Sequence, residues 1–309
     1  MVVRGGAIGD FILALPAICS LPDAFPEAEL DILANRQVAP IALDALKIGN
    51  LFFLDDPAFA KFFTREEGAS GDYFERYDLV LSYLHDPEKV FEENVRSAGV
   101  EHFLIGPDKI AGESHASEQL AQPLREFGVQ VTDFAPRLKI GETERRRAQD
   151  RLGTTSLIAI HPGSGSARKN WPIASWTCLI SDLLDRGLPI TLVGGEADRT
   201  QIAALRDQFQ NEALSFAIDW QLRDLAALLA DTIFIGHDSG ISHLAAASDA
   251  RSLLLFGPTD PGIWAPRNDN ARVLRAPEGD LNQLPVATVR DAIDQELMRI
   301  GIRTYRNGV

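Results

Sequence analysis

Short apolar runs alternate with longer amphipathic stretches along this chain, and the alternation runs through twice. In the first half the apolar runs fall at 1–4, 29–34, 51–54, 77–84 and 102–105. Between them the spacing predicts helices, among them 10–20, where Phe11, Leu15 and Ile18 recur at helical period, and a more polar 114–127. Between 136 and 153 the composition shifts. Residues 142–151 are almost wholly charged or polar and read as a solvated helix beside an inter-domain connection. The pattern then restarts, with strands predicted at 157–161, 189–193, 215–218, 232–235, 252–256 and 272–274. Helices are predicted at 174–186, 198–208, 222–230, 240–247 and 286–300. Regular strand–helix alternation implies a parallel sheet with helices on both faces. Two such runs imply an α/β protein of two Rossmann-like, doubly wound domains, 1–140 and 141–309, facing across a cleft. The last helix is a candidate to pack across toward the N-terminal domain. Ligands of such sheets bind beyond the carboxyl ends of the strands, so function is sought in the strand-to-helix turns.

Charge narrows the ligand class. The net charge of -14 argues against a broad basic face for nucleic acid and against a polybasic membrane anchor. A phosphate-bearing ligand must then be held by local amides and one or two cations. Cys19 and Cys178 stand far apart in apolar, helix-like contexts and read as reduced thiols rather than a disulfide or a catalytic thiol. The start of the chain lacks a leader pattern, and its apolar runs fall short of the ~20 residues that span a bilayer. The expectation is a cytoplasmic protein with at most peripheral membrane contact.

Four turns carry the chemistry. The first, Arg4-Gly5-Gly6-Ala7-Ile8-Gly9-Asp10, follows strand one and delivers a single carboxylate. Its glycines do not fit a dinucleotide fingerprint, and the acid about 20 residues on, Asp31, is expected mid-strand. Asp10 is either a base or a cap for the helix it opens, and spacing does not separate the two. The second turn, HPGSGSARKNWP over 161–172, offers bare backbone, hydroxyls and Lys169 as a point charge, without a Walker spacing. The third, Gly236-His237-Asp238-Ser239-Gly240-Ile241-Ser242-His243, leaves a strand and opens an alanine-rich helix. Its first amides form an anion site. Asp238, which a phosphate would repel, is better suited to a sugar hydroxyl, and His243 is equally a packed residue or a ligand contact. The fourth, 257–266, is a stiff loop rich in proline and glycine that either lines the cleft or serves architecture. No metal-ligand spacing and no G-x-S-x-G elbow are present. Phe52, Phe53, Phe59, Phe62 and Phe63 either face a lipid-like acceptor or, more in keeping with their spacing, pack in the core.

RGGAIGDFILALPA, HPGSGSARKNWP, LVGGEADR, GHDSGISHLAAA and FGPTDPGIWAP, in that order, resemble glycosyltransferase family 9, the ADP-heptose:lipopolysaccharide heptosyltransferases. The resemblance implies a GT-B fold and an inverting, metal-independent transfer from a nucleotide sugar held chiefly by the C-terminal domain. No cofactor is implied, since the ADP-linked sugar is itself a substrate. A saccharide or lipid-linked acceptor, such as lipopolysaccharide core, is the implied partner, and the inner face of the cytoplasmic membrane is a fitting location. By matching position, Asp10 becomes the base, with Gly6, Ala7 and Gly9 forming an acceptor-side loop. Ser164 and Gly165 match the diphosphate contacts, Lys169 the lysine beside phosphate and sugar, and Glu196 the acid on the ribose. Asp238, Ser239, Gly240 and His243 match the sugar- and phosphate-contacting segment, and Trp220 lies loosely near a position beside the base. The alternatives are a nucleotide-sugar-binding protein without transfer and a Rossmann NAD-dependent oxidoreductase.

Overall fold

The computed structural model describes residues 1–65, 73–209 and 212–302. Two compact units divide the chain, Met1–Ala135 and Pro136–Val309. The break comes slightly ahead of the expected 140/141 boundary because the chain beyond it is already tied to the second unit. The Leu138 amide donates to the Ala247 carbonyl at 2.7 Å, and Asn268 Nδ2 donates to the Pro136 carbonyl at 2.7 Å.

The first unit is built on β1 (Val2–Arg4), β2 (Ile32–Ala34), β3 (Leu51–Phe53), β4 (Leu79–Ser82) and β5 (His102–Ile105), in the order β3-β2-β1-β4-β5. Every neighbouring pair is parallel. Val2 and Val3 of the central strand are fully buried, as a strand covered on both faces requires. The Ile8–Cys19 helix follows β1, buries Phe11, Ile12, Leu15 and Ile18, and packs against the Ala116–Glu126 helix. Asp31 stands just before β2, at its amino end, and not mid-strand as expected. Its carboxylate accepts from the Asn50 amide at 2.7 Å and from the Tyr77 hydroxyl at 2.6 Å. The phenylalanine group divides. Phe59 and Phe62 are core residues, Phe52 meets Phe59 edge-on at 5.8 Å, Phe63 stacks on Phe91 at 5.1 Å, and Phe53 lies beneath the Arg36 guanidinium at 4.2 Å.

The second unit carries β6 (Ile158–Ile160), β7 (Ile190–Gly194), β8 (Leu214–Ile218), β9 (Ile233–His237), β10 (Arg251–Phe256) and β11 (Ala271–Arg275), in the order β11-β10-β9-β6-β7-β8. All pairs are again parallel, with Ile158 of β6 opposite Ile190 of β7 on one side and Ile233 of β9 on the other. The polar Glu142–Leu152 helix buries only Ala148. Arg147 and Arg151 fasten it to Asp224 at 2.7 and 2.9 Å. The last helix, Val286–Arg299, sinks Val289, Ala292, Ile293 and Leu297 into the core of its own unit. Its apolar face is buried there.

Candidate active site

Chain order reverses direction between β6 and β9, since β7 and β8 lie on one side of that pair and β10 and β11 on the other. A crevice opens at such a switch point beyond the carboxyl ends of the strands. The turns after β6 and β9, the second and third turns of the sequence, therefore meet there. Lys169 Nζ, reaching from the Ala167–Lys169 turn, donates to the Asp238 carbonyl at 2.9 Å and to its carboxylate at 3.1 Å. Asp238 is largely buried and Lys169 partly so, so the pair is shielded more than a surface ion pair. Beside it begins the Gly240–Ala247 helix, capped by Ser239, whose Oγ accepts from the Ser242 amide at 3.3 Å. The first amides of a helix have no intrahelical acceptor and lie at the positive end of its dipole. One ammonium and one helix end thus converge on the crevice, as a diphosphate needs.

The remaining donor-side residues are placed less directly. Ser164 turns inward, its Oγ bonding to the Ser166 carbonyl at 2.8 Å and to the Asn170 side chain. Gly165 is exposed with φ +73°, a left-handed conformation that glycine adopts without strain. His243 is buried within its helix. Glu196 is exposed directly after β7, and Trp220 is half-buried after β8 with the Arg151 guanidinium 4.2 Å over its ring. They stand one and two strands from β6 on the same carboxyl edge.

Four further residues organise this edge, and sequence reasoning gave none of them a role. His237 ends β9, and its Nδ1 donates to the Gly163 carbonyl at 3.1 Å while its Nε2 accepts from the Trp171 amide at 2.8 Å. Those two bonds fix one neutral tautomer. Burial lowers the His237 pKa to about 4, the Gly163 carbonyl opposing only part of that shift. His161, one residue beyond β6, sets its Nε2 3.1 Å from the Asp198 carboxylate. Burial pushes the Asp198 carboxyl up, but the His161 ring and the Gly195 amide outweigh it and hold the group below the ordinary range. Gly163 must be glycine, because a Cβ there would stand 1.7 Å from Asp198 Oδ1. The available signal was the position of both histidines at the last residue of a strand or one beyond it.

In the first unit Asp10 lies in the first turn of the Ile8–Cys19 helix. Its Oδ2 accepts from the Ala7 amide at 2.8 Å, so the capping contact exists. Its Oδ1 faces the Arg4 guanidinium at 3.6 Å, and the side chain remains 42% exposed, leaving the carboxylate open to a further partner. Arg4 is itself fixed, donating to the Asp10 and Tyr83 carbonyls at 3.2 and 3.3 Å. Gly6, with φ +90°, passes so close that a Cβ would lie 2.6 Å from Asp10 Oδ2. Ala7 and Gly9 complete the loop, Ala7 exposed and Gly9 half-buried. Among the described residues no three His, Cys, Asp or Glu side chains are grouped to hold a metal ion, and no helix is long and apolar enough to cross a membrane.

Comparison with known proteins gives this edge its context. Residues 109–289 match the model of glycosyltransferase family 9 (heptosyltransferase). Lipopolysaccharide heptosyltransferase 2 of Salmonella typhimurium is 25% identical over 316 residues, covering 89% of this chain and 87% of that protein. Lipopolysaccharide heptosyltransferase 1 of Escherichia coli O18:K1:H7 is 34% identical over 129 residues, 41% of this chain and 39% of that protein. Among solved structures, the glycosyl transferase family 9 protein of Veillonella parvula superposes with a TM-score of 0.80 at 20% identity, covering 96% of each chain. The E. coli ADP-heptose lps heptosyltransferase II gives 0.80 at 18% identity, over 97% of this chain and 99% of that one. The shared architecture is GT-B, two parallel-sheet α/β units. The family match spans more than half of the chain and takes in every turn after β6, β7 and β9, so this protein belongs to glycosyltransferase family 9, the heptosyltransferase family, and is a glycosyltransferase.

Proposed function

We propose that this glycosyltransferase moves a heptose from ADP-heptose to a saccharide or glycolipid acceptor such as lipopolysaccharide core, with inversion and without a metal. The observation that carries the reading is the Lys169–Asp238 pair at the switch point, beside the first turn of the Gly240–Ala247 helix. The donor diphosphate takes the helix amides and the Lys169 ammonium, with Ser239, Ser164 and Gly165 alongside. Asp238 accepts from a sugar hydroxyl, Glu196 from the ribose, Trp220 lies beside the base, and His243 supports the helix turn from within. An amide cluster and a fixed cation stabilise charge that develops on a leaving diphosphate, the task a metal performs elsewhere.

Asp10 serves as general base. The acceptor oxygen bonds to the anomeric carbon as the carbon–oxygen bond to the diphosphate breaks, and the acceptor proton passes to the Asp10 carboxylate. Attack opposite the leaving group inverts the anomeric centre. The Gly6, Ala7 and Gly9 loop gives the acceptor backbone to approach, and the Ala7 amide and Arg4 hold the carboxylate in place. The reaction is assigned to the cytoplasm, with peripheral contact at the inner membrane face sufficient for a lipid-linked acceptor. Incubation with ADP-heptose and a lipopolysaccharide core acceptor tests this. The expected result is ADP release, a product of inverted anomeric configuration by NMR, and rates indifferent to EDTA. Retention, or a rate abolished by EDTA, overturns the mechanism.

A further inference from the structure

A cavity opens in the first unit at the carboxyl ends of β4 and β5, and the transfer step leaves it unused. Its volume is about 290 Å³. That is near the low end of the ~300–1,000 Å³ of ligand sites and suits a sugar ring better than a nucleotide. Leu84, Phe103 and Ile105 give it an apolar wall, and Ile105 is 56% exposed at its rim. Ser82 is 4% exposed, and its Oγ accepts from the Leu84 amide at 3.3 Å. Among the described residues nothing accepts the Ser82 proton, which is left for an occupant. The cavity adjoins the loop that carries Asp10. β4 is the parallel neighbour of β1, so both strands end on the same edge. Arg4 ties the two turns together, donating to the Asp10 carbonyl at 3.2 Å and to the Tyr83 carbonyl at 3.3 Å. Leu84 comes so close to the loop that a Cβ on Gly5 would meet its Cδ2 at 3.2 Å. Neighbouring strands stand about 4.8 Å apart, which puts the cavity within the span of a short saccharide presented to Asp10.

Charge selects the occupant. Asp86, Glu92 and Asp108 line the cavity, and its lining contains no lysine or arginine. Lys89 and Arg96 both face Glu92, at 3.7 and 3.0 Å, and Arg4 faces Asp10 at 3.6 Å, so these cations answer carboxylates already present. Asp108 pairs with His85. Asp86 accepts from the Glu92 amide at 2.9 Å and has no ion-pair partner among the described residues. Such a lining accepts from hydroxyl groups and repels a phosphate or a carboxylate. We propose that this cavity is an acceptor subsite that selects an uncharged sugar residue over an anionic one, with the apolar face of the ring on Ile105 and Leu84 and its hydroxyls on Asp86, Asp108 and Ser82. The inference rests on the reading of Asp10 as the group that receives the acceptor proton, and it names the class of acceptor brought there.

The test is the Kd, by calorimetry with ADP present, of lipopolysaccharide core oligosaccharide before and after its phosphates are removed. The dephosphorylated form should bind at least about tenfold more tightly, since its partner no longer holds a phosphate near two carboxylates. Ile105→Arg sets a cation at the exposed rim. Asp86→Asn removes a carboxylate and keeps an oxygen for the Glu92 amide. Each variant should cut the preference by about threefold or more, with the Kd of ADP-glucose unchanged. Equal or tighter binding of the phosphorylated form, binding of neither form, or an unaltered preference in either variant overturns the proposal. Should Ile105→Arg not fold, Asp86→Asn decides alone. ADP release from ADP-heptose is followed with the same two oligosaccharides. Phosphate-sensitive binding without ADP release from either one overturns the transfer reading and leaves the saccharide site standing, so the two failures are distinguishable.

Discussion

Lys169 Nζ donates to both the main-chain carbonyl and the carboxylate of Asp238, at 2.9 and 3.1 Å, and so bridges the two turns on either side of the switch point. A hydrogen bond to a charged group contributes about 1.5–3 kcal/mol, equivalent to roughly 10- to 100-fold in affinity. Lys169→Met should therefore weaken ADP-glucose binding by about that factor in calorimetry. It should also lower the melting midpoint, because Asp238 is left largely buried without its cation. An unchanged Kd contradicts the assignment of Lys169 to the donor.

Gly6 controls the placement of Asp10. Its φ of +90° disfavours any side chain, and a Cβ there would press to 2.6 Å on Asp10 Oδ2. Gly6→Ala should cost upward of about 1 kcal/mol of stability and displace the carboxylate from the Ala7 amide. Transfer should drop by at least about tenfold, since a misplaced catalytic group loses rate steeply. ADP-glucose affinity should stay within about twofold, since the proposed donor contacts all lie in the second unit. Equal loss of affinity and rate contradicts the separation of roles.

His237 gives an acid-stability prediction. Burial holds its pKa near 4, against the ordinary 6.5 in the unfolded chain. The folded value is the depressed one, so this contribution is complete above about pH 6.5 and is lost as pH falls toward 4. The full loss is about 3 kcal/mol at about 1.4 kcal/mol per unit. Denaturant unfolding at pH 7, 5.5 and 4 should show that decline, and His237→Gln should remove most of it. Identical slopes in the two proteins contradict it.

The strand-to-helix turns were legible because periodicity locates strands and small residues mark where they end. Lys169, Asp238 and Gly240 could be chosen from those turns alone. Their meeting could not, because Lys169 and Asp238 are brought together only by the placement of β6 beside β9, which depends on strand order and not on local pattern. The same holds for His161 with Asp198 and for His237 with Trp171, contacts across long stretches of chain. His161 is followed by Pro162 and His237 preceded by Gly236, and nothing in either local pattern names the distant partner. Asp31 lies one residue ahead of its strand, where Asn50 and Tyr77, distant in sequence, bind its carboxylate. The two roles open for Asp10 were alternatives on spacing, yet the capping bond to Ala7 occupies only one carboxylate oxygen and leaves the side chain accessible.

The cap that is seen and the base that is proposed can be separated, which makes Asp10→Asn the most direct test of the proposed transfer mechanism. Asparagine keeps an oxygen that accepts from the Ala7 amide, so the helix cap survives while the basic carboxylate is lost. The measurement is the initial rate of ADP release from saturating ADP-heptose in the presence of a lipopolysaccharide core acceptor. A fall of about 10²- to 10⁴-fold is expected, the usual contribution of a positioned general base, with ADP-glucose affinity preserved. An undiminished rate contradicts Asp10 as the base and, with it, the proposed mechanism.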